Sequence, residues 1–378
     1  MKAWSIVLLA SVVLLIVPGC WGRSELKDVA IVTGVGIDQK GNKYEVTTET
    51  LKLGPEQQTK IVSAIVRSAM GTTIFEAIRD LIITLGKRQV WQHVDAFIIG
   101  EKTAESGITP VTDFMLRDHE PRFRMNILIA KGTAKDILSM KPEAGKVNGT
   151  LIKNALEEQS SLSKAPQVQL YQFGQMFIER YQDPYIPMVR KGKQGFEIYG
   201  TAIFKRDKMV GQLTPNETRG LLRVLGKLNG GIQVLKLNTK GSTKPAYISI
   251  EIKKSKAGMK VKFEHRTPKI EVNIQETGFI GDISHPINHQ QIDQKLLNRI
   301  EKLYADSIKK EAEQVIAKIQ KKYKSNALGF AGLINRADKR YWQQHKDEWE
   351  DLYPRIKVVV NVKTNIPENG LIRDNVGY

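Results

Sequence analysis

The sequence predicts a mixed α/β protein of several domains, with a mixed β-sheet in its N-terminal part and an antiparallel sheet with a long helix in its C-terminal part. Three patterns predict this class. Strand and helix signals alternate between residues 26 and 140, and four strand signals follow at hairpin spacing between residues 231 and 280. An apolar stripe of helical period then covers residues 291–324. A chain of 378 residues is long enough for two or three domains.

The N-terminal part opens with segments rich in β-branched residues, which are typical of strands. Residues 26–38 and 43–53 predict a hairpin, because the short segment 40–42 between them contains a glycine. Further strands are predicted at 61–70, 94–100 and 124–132. Helices are predicted at 72–86, 110–118 and 133–140. Because helices separate the later strands, we expect a sheet of mixed strand order.

The first helix has clear end signals. Thr72 or Thr73 supplies an N-cap hydroxyl, and Gly86 is the residue type that most often follows the last turn of a helix. The apolar positions recur at helical spacing and comprise Ile74, Ile78, Leu81, Ile82 and Leu85. We therefore expect these five side chains to face the core.

Residues 141–195 predict two helices followed by a connector that proline and glycine interrupt, which is a candidate domain boundary. A strand is predicted at 196–205. The next helix has three start signals, since Thr214 can cap it, Pro215 suits its first turn and Glu217 completes a capping box. The predicted organisation is a leader (1–19), an N-terminal α/β domain (20–140), a middle region (141–195) and a C-terminal domain (196–378).

The C-terminal part contains four segments that predict an antiparallel meander. They cover 231–237, 246–255, 258–266 and 269–280. The long helix at 291–324 carries basic residues opposite its apolar stripe, and two interpretations stay open. It either packs across the sheet with its charged face in water or faces a membrane or a partner. A last strand is predicted at 356–366.

The net charge of +18 predicts attraction to an anionic partner. The densest basic cluster comprises Lys253, Lys254, Lys256, Lys260 and Lys262. Phe263 is the one aromatic residue close to it in sequence, whereas binding of single-stranded nucleic acid needs aromatic side chains among the basic ones. An anionic lipid surface attracts each nearby lysine by about 1 kcal/mol. The sequence therefore favours an anionic membrane surface over nucleic acid.

The first residues are typical of a bacterial signal peptide, with Lys2 before the apolar run 3–17. As a helix this run spans roughly 22 Å, which is shorter than the ~30 Å hydrocarbon core of a bilayer. Val17, Gly19 and Cys20 match a lipobox, in which cleavage falls after Gly19 and the cysteine thiol receives a diacylglyceryl group. Cys20, the single cysteine of the chain, is thus the predicted lipid attachment site. The alternative is an uncleaved signal anchor with an incidental cysteine.

The sequence offers little evidence for a catalytic or cofactor-binding motif. The Gly34-Val35-Gly36 segment lacks the third glycine of a dinucleotide loop, and a strand rather than a helix follows it. His285 and His289 have no acidic residue at metal-ligand spacing. Residues 117–120 (RDHE) favour a helix end with salt bridges over acid–base chemistry, because adjacent residues seldom face one substrate. We therefore predict no catalytic, metal-binding or cofactor-binding residue.

Four stretches of this sequence together carry a family resemblance. They are GCWGRSELKDVAIVTGVGIDQ, VDAFIIGEKTAESGITPVTDFMLRDHEPRFRMNILIAKGTAKDIL, YGTAIFKRDKMVGQLTPNETRGLLRVLG and ALGFAGLINRADKRYWQQHKDEWEDLYPRIKVVVNVKTNI. In this order they resemble the spore germination Ger(x)C lipoproteins, the C subunits of nutrient germinant receptors. The resemblance covers nearly the whole chain.

The resemblance implies a three-domain α/β protein without enzymatic activity, tethered to the outer leaflet of the inner spore membrane. It implies two integral membrane partners, an A-type and a B-type subunit, in a receptor that responds to nutrients. The lipidated cysteine of the family corresponds to Cys20. We therefore expect a subunit that acts by protein contact, as a scaffold or a signal relay. The alternatives are a solute-binding lipoprotein that captures the nutrient and a lipid-anchored cell-wall hydrolase.

Overall fold

The structure is a computed structural model that describes residues 28–53, 61–117, 123–143, 145–179, 181–238, 245–284 and 294–367. Two β-sheets and the helices packed on them make up this part of the chain, so the predicted mixed α/β class is confirmed.

The first sheet contains nine strands. They are β1 (Val29–Lys40), β2 (Lys43–Leu53), β3 (Ile61–Gly71), β4 (Arg88–Val90), β5 (Ala96–Gly100), β6 (Asn126–Ala130), β7 (Tyr185–Gly192), β8 (Gly195–Lys205) and β9 (Lys208–Leu213). The second sheet contains β10 (Ile232–Leu237), β11 (Ala246–Glu264), β12 (Thr267–Ile283) and β13 (Lys357–Asn365).

The helices of the described residues belong to both halves of the chain. They are α1 (Ile74–Leu85), α2 (Glu101–Ser106), α3 (Thr109–Arg117), α4 (Ala134–Leu138), α5 (Asn148–Leu162), α6 (Leu170–Glu179), α7 (Pro215–Val224), α8 (Gln294–Ala317), α9 (Phe330–Ala337), α10 (Lys339–His345) and α11 (Trp349–Leu352). A π-helical turn (Lys318–Lys322) continues α8.

Strand order in the first sheet is β3-β2-β1-β5-β6-β7-β8-β9, and β4 pairs with the beginning of β1. The central pairs β1–β5, β5–β6 and β6–β7 are parallel, whereas the outer pairs are antiparallel. Strands β5 and β6 are buried along their whole length, as expected for parallel strands with helices on both faces. The predicted mixed sheet is thus confirmed.

Two buried carboxylates hold helices against the first sheet. Asp38 in β1 accepts hydrogen bonds from the backbone N–H groups of Ala134 (2.9 Å) and Lys135 (3.0 Å), at the start of α4. Glu49 in β2 accepts from the N–H groups of Asn148 and Gly149, both at 2.7 Å, at the start of α5. Burial raises the pKa of both carboxyls, and these backbone hydrogen bonds oppose the shift. The first turns of both helices thereby gain acceptors for N–H groups without intrahelical partners.

Gly34 and Gly36 lie inside β1 and not in a loop. A Cβ atom at Gly34 would come within 2.7 Å of Leu138, and one at Gly36 within 2.9 Å of Ala134. The glycines therefore allow α4 to pack closely on the strand, which explains this Gly-x-Gly segment without a cofactor.

Four elements in and around the first sheet differ from the prediction. The segment expected as a connector contains β7, whose residues Tyr185, Ile186, Met188 and Val189 are buried between β6 and β8. The register of the β7–β8 pair shifts between Pro187 and Val189, and such an irregularity accommodates a proline in a strand. The short strands β4 and β9 and the helix α2 were also not predicted.

Helix α1 begins and ends where the sequence indicates, with one difference. Thr73 and Glu76 form the capping box, and Gly86 follows the last turn in the left-handed conformation. Its buried residues are Ile74, Ala77, Ile78 and Leu81. The prediction that Ile82 faces the core is wrong, because Ile82 is exposed beside the buried face of the helix.

The second sheet has the order β10-β11-β12-β13. The two strands predicted at 246–255 and 258–266 are in fact one strand of 19 residues, β11, which pairs with β12 through Gly258 without a turn. Strand β13 joins β12 in parallel, so the expected antiparallel sheet has one parallel strand at its edge. The physical reason is the connection through α8 to α11, which returns the chain to the end of the sheet where β12 begins.

Helix α8 packs across the inner face of the second sheet. Its buried residues are Leu297, Ile300, Tyr304, Ile308, Ala312, Val315 and Ile316, and its lysines lie on the opposite side. Of the two interpretations of this helix, the structure confirms packing across the sheet with a charged face in water.

Candidate interaction surfaces

The structure describes few of the residues that the sequence singles out for chemistry. Cys20 and the cleavage position after Gly19 lie outside the described residues, as do His285 and His289. Arg117 ends α3 and pairs with Asp113 at 2.7 Å on the surface, whereas Asp118, His119 and Glu120 of the RDHE segment lie outside the described residues. No cluster of three histidine, cysteine or acidic side chains suited to a metal ion occurs within the described ranges.

The structure provides one observation on whether a helix of this chain could cross a membrane. In the part of the chain that the structure describes, no helix combines the length and the apolar character that crossing a bilayer requires.

The most highly charged buried site lies between α7 and the second sheet. The Arg223 guanidinium contacts the Glu276 carboxylate through two hydrogen bonds of 2.9 and 3.1 Å, and both side chains are fully buried. Glu311 lies 3.1 Å from Nη1 of Arg223, and Tyr304 donates a hydrogen bond to Glu276. Such an enclosed network is out of reach of a solute and connects α7, α8 and β12.

The electrostatics of this network keep its charges in place. Burial opposes the charge of Arg223, but Glu276 and Glu311 together raise the pKa of the guanidinium. Burial and the neighbouring Glu276 raise the pKa of Tyr304, so its hydroxyl keeps the proton that it donates. Arg223 therefore keeps its positive charge and Tyr304 keeps its proton.

A polar cleft of about 230 Å³ lies beside α6. Its lining includes Gln167, Gln172, Gln175, Gln182, Glu179, Tyr185 and Lys227. Lys227 donates a hydrogen bond of 2.5 Å to the hydroxyl of Tyr185. Carboxamides and an ammonium group could bind a small polar solute, although typical ligand sites enclose roughly 300 Å³ or more.

The outer face of the second sheet is strongly basic. Because side chains alternate along a strand, every second residue of β11, β12 and β13 points away from α8. The lysines on that side are Lys254, Lys256, Lys260, Lys262, Lys269, Lys357 and Lys363, and we call this surface the lysine face. The strand pairing aligns Lys262, Lys269 and Lys357 in one row and places Lys256 and Lys363 on either side of Gln275.

Most lysines of this face form no ion pair with a carboxylate of the described residues. Lys262 pairs with Glu271 at 2.9 Å, and Lys269 pairs with Glu264 at 2.7 Å. The other five have no carboxylate within 4 Å among the described residues. The sequence cluster was therefore only part of the surface. Pairing with β12 and β13 added Lys269, Lys357 and Lys363, and Lys253 instead sits at a bulge beside Glu251.

Two exposed apolar patches complete the surface features. On α1, Phe75, Ile82 and Ile83 are 50%, 36% and 81% exposed and lie on one side of the helix, where Arg79 stacks on Phe75. We call this the α1 stripe. At the edge strand β10, Ile232 and Val234 are exposed next to Tyr247 of β11, and we call this the β10 patch. Exposed apolar patches commonly mark contacts with other proteins.

The comparisons with known proteins agree with one another. Residues 22–191 match the family model described as the spore germination protein N-terminal domain. Residues 199–370 match the model described as spore germination B3/GerAC like, C-terminal.

Individual relatives extend over the whole chain. Spore germination protein KC of Bacillus subtilis (strain 168) is 26% identical, over 97% of this chain and 95% of that protein. Spore germination protein B3 of the same organism is 24% identical, over 95% and 96%. The crystal structure of the GerBC protein superimposes with a TM-score of 0.59 at 21% identity and covers 88% of this chain and 96% of that chain. At this identity the superposition shows a shared fold.

Proposed function

The chain belongs to the spore germination Ger(x)C family, and we propose that it is the membrane-anchored C subunit of a nutrient germinant receptor. The observation that carries the proposal is the match of both family models, in order, across residues 22–370. We further propose that the subunit works without catalysis, by contact with integral membrane subunits of the A type and the B type.

The proposed anchor is a diacylglyceryl group on Cys20, at the outer leaflet of the inner spore membrane. Support comes from the lipobox of Val17, Gly19 and Cys20 after an apolar leader. Two acyl chains give stable anchoring, because each buried CH₂ group contributes about 0.8 kcal/mol.

Mass spectrometry of the native protein tests the anchor. We expect an N-terminus at Cys20 that carries the mass of the lipid, and no such species in a Cys20→Ala variant. Gly22→Ala is the matched control, because it changes a neighbouring residue outside the lipobox and should leave the modification intact. An unmodified thiol behind an intact leader would contradict the anchor.

The proposed contact surfaces are the α1 stripe and the β10 patch. Ile83 and Val234 are exposed without a partner among the described residues, and burying them in an interface would remove apolar surface from water. A scaffold or a relay needs such stable contacts.

Photo-crosslinking in spore membranes tests these contacts. A crosslinking residue in place of Ile83 or Val234 should capture an A-type or a B-type subunit from at least one of the two positions. The same residue in place of Lys309, on the exposed side of α8, is the control and should capture neither. If no position captures a receptor subunit, or if spores that lack this chain assemble the receptor and respond to nutrient normally, the proposal fails.

A second candidate function is capture of the nutrient itself, which the glutamine-lined cleft beside α6 favours. Isothermal titration with amino acids and sugars distinguishes the two functions. Binding that Lys227→Met abolishes would support the solute-binding alternative, and the proposed contact function expects no heat of binding. No arrangement of the described residues favours the third possibility, a cell-wall hydrolase.

A further inference from the structure

We propose that the lysine face lies against the anionic phospholipid headgroups of the membrane that holds the chain. The inference rests on the proposed lipid anchor and adds to it an orientation, with the second sheet turned toward the bilayer and α8 turned away.

The shape of the face suits a flat anionic surface. From Lys254 to Lys262 the strand extends about 26 Å at ~3.3 Å per residue, and three neighbouring strands add about 10 Å of width. Seven lysines share this area with two glutamates, Glu264 and Glu271, so the face carries five net positive charges. An array of like charges spread over three neighbouring strands matches a surface of headgroups better than a pocket-bound ligand.

The residue types also fit lipid phosphates. A lysine ammonium group is a hydrated point charge on a flexible stem, and it contacts phosphate without a fixed geometry. Gln275 stands exposed among the lysines and adds an amide donor. Such adaptable contacts suit headgroups that diffuse laterally.

Nucleic acid fits this face less well. Single-stranded nucleic acid needs aromatic side chains on which bases stack. Phe263 is the aromatic residue of β11 next to the lysines, and its ring packs edge-on against Tyr341 at a centroid distance of 5.2 Å. Because side chains alternate along β11, Phe263 points to the side of the sheet opposite Lys262, toward α10, and gives the lysines no aromatic partner for stacking.

The proposed anchor would hold the beginning of β1 near the bilayer. Eight residue steps separate Cys20 from Asp28, where the described fold begins, and they extend at most about 28 Å at ~3.5 Å per residue. The folded part thus stays close to the headgroups, and unscreened lysines act over a Debye length of about 8 Å at physiological ionic strength. A short tether makes a weak electrostatic attraction sufficient to select one orientation.

The exposed side of α8, opposite the lysine face, provides a control surface. Helix α8 exposes Lys295, Lys302, Lys309 and Lys310, and Asp306 and Glu313 stand exposed beside them. Removal of four lysines from either side changes the net charge of the protein equally, so a difference between the two variants reports position and not total charge.

Energy transfer to labelled lipids tests the orientation. The full lipidated chain with Gln275→Cys is labelled on this new thiol, because the Cys20 sulfur is blocked by the lipid, and is reconstituted in vesicles that contain a headgroup acceptor dye. We expect more transfer on vesicles with phosphatidylglycerol than on pure phosphatidylcholine. The excess should disappear at about 1 M salt, where the Debye length falls to about 3 Å.

Two matched variants complete the experiment. Replacing Lys254, Lys256, Lys260 and Lys363 by glutamine should abolish the excess, and replacing Lys295, Lys302, Lys309 and Lys310 by glutamine should leave it unchanged. Circular dichroism confirms that both variants are folded. Equal transfer on the two vesicle types, or equal loss in both variants, overturns the proposal.

The remaining outcomes are also informative. A photo-crosslinker at Gln275 that captures an acidic protein or nucleic acid instead of phospholipid in spore membranes would assign the face to that partner and overturn lipid docking. A protein that does not float with either vesicle type has no anchor, so that result refutes the proposed function. A protein that floats without excess transfer refutes only the orientation.

Discussion

At the scale of single residues, Arg223 shows how a charge is held in the core. It is the largest of the fully buried side chains in the described part, and its guanidinium compensates Glu276 and Glu311. We expect Arg223→Met to lower the free energy of unfolding by about 3–5 kcal/mol, because it leaves the buried Glu276 carboxylate without a counter-charge. Urea denaturation measures the change.

The matched comparisons separate charge from packing. Arg223→Met combined with Glu276→Gln should recover part of the lost stability, since one uncompensated charge is then removed. Lys309→Met on the exposed side of α8 should change stability by less than about 0.5 kcal/mol. If Arg223→Met costs no more than Lys309→Met, the network does not stabilise the fold as argued.

The fold leaves no room for a Cβ atom at Gly149. It lies in the first turn of α5, and a Cβ atom there would come within 2.2 Å of the Thr33 carbonyl oxygen. We expect Gly149→Ala to destabilise the protein by about 1–3 kcal/mol, because α5 must move off β1 or its neighbours must shift.

Gly258 is the matched control for this prediction. It lies in β11 with nothing within 4 Å of a Cβ atom. Gly258→Ala should therefore be close to neutral or slightly stabilising in the same denaturation experiment. Equal effects of the two substitutions would show that the close approach of α5 does not limit stability.

At the scale of elements, an ion pair joins the start of α7 to the π-helical turn. Lys318 donates hydrogen bonds of 2.8 and 2.7 Å to Glu217, which also completes the capping box of α7. Burial opposes the charge of Glu217, but the Lys318 hydrogen bond and the backbone of Thr214 lower its pKa below the ordinary 4.5. The stability from this carboxylate is thus present above pH 4.5 and is lost as the pH falls through the lowered pKa.

The stability lost in Lys318→Met should depend on pH, because Lys318 attracts Glu217 only while the carboxylate is ionised. At pH 7 we expect a loss of about 1 kcal/mol, which allows for solvent screening of a partly exposed pair. At pH 3 the loss should shrink, because protonation of Glu217 begins to remove its attraction to Lys318. Urea denaturation of both proteins at both pH values measures this. Lys310→Met, on the exposed side of α8, is the control. If Lys318→Met loses the same stability at pH 7 and at pH 3, the ion-pair argument is contradicted.

At the scale of the whole molecule, the two halves share one hydrophobic core. One cluster of buried residues contains Phe97 and Ile203 of the first sheet together with Ile248 of the second sheet and Ile308 of α8. Asp183 adds a polar tie, since it accepts from the backbone N–H groups of Arg206 (2.8 Å) and Asn326 (2.6 Å). The residues that match the second family model also supply β8 and β9 to the first sheet.

We therefore expect the chain to unfold in one cooperative transition, with coincident far-UV dichroism and tryptophan fluorescence curves. A fragment of residues 22–191 should be insoluble, because it exposes the edge of β7 and the core residues that β8 covers. A fragment of residues 22–213 is the matched control and should be more soluble, since it restores β8 and β9. Two separate transitions, or a soluble and cooperative 22–191 fragment, would contradict a shared core.

The proposed division into residues 20–140, 141–195 and 196–378 stays a prediction. Its last boundary lies after the first residue of β8. Proteolysis of the native chain would show which of these segments behave as separate units.

The sequence by itself determined the family, the α/β class and the elements whose signals are local. Caps at Thr73 and Thr214 and the buried stripe of α8 follow from residues within a few turns of one another, because a helix is specified by its own hydrogen bonds and periodicity. The lipobox at Cys20 is local in the same sense and stays a prediction.

Only the tertiary structure decided the features that depend on distant neighbours. The sequence of β7 predicts a connector, but pairing with β6 and β8 buries it in the sheet. The periodicity of α1 predicts that Ile82 is a core residue, but the sheet packs on the neighbouring side of the helix and leaves Ile82 exposed. The lysine face assembles from three strands as far apart in sequence as Lys254 and Lys363. Periodicity within one segment shows which side chains share a face. Long-range pairing decides which face packs in the core and which face is exposed to water.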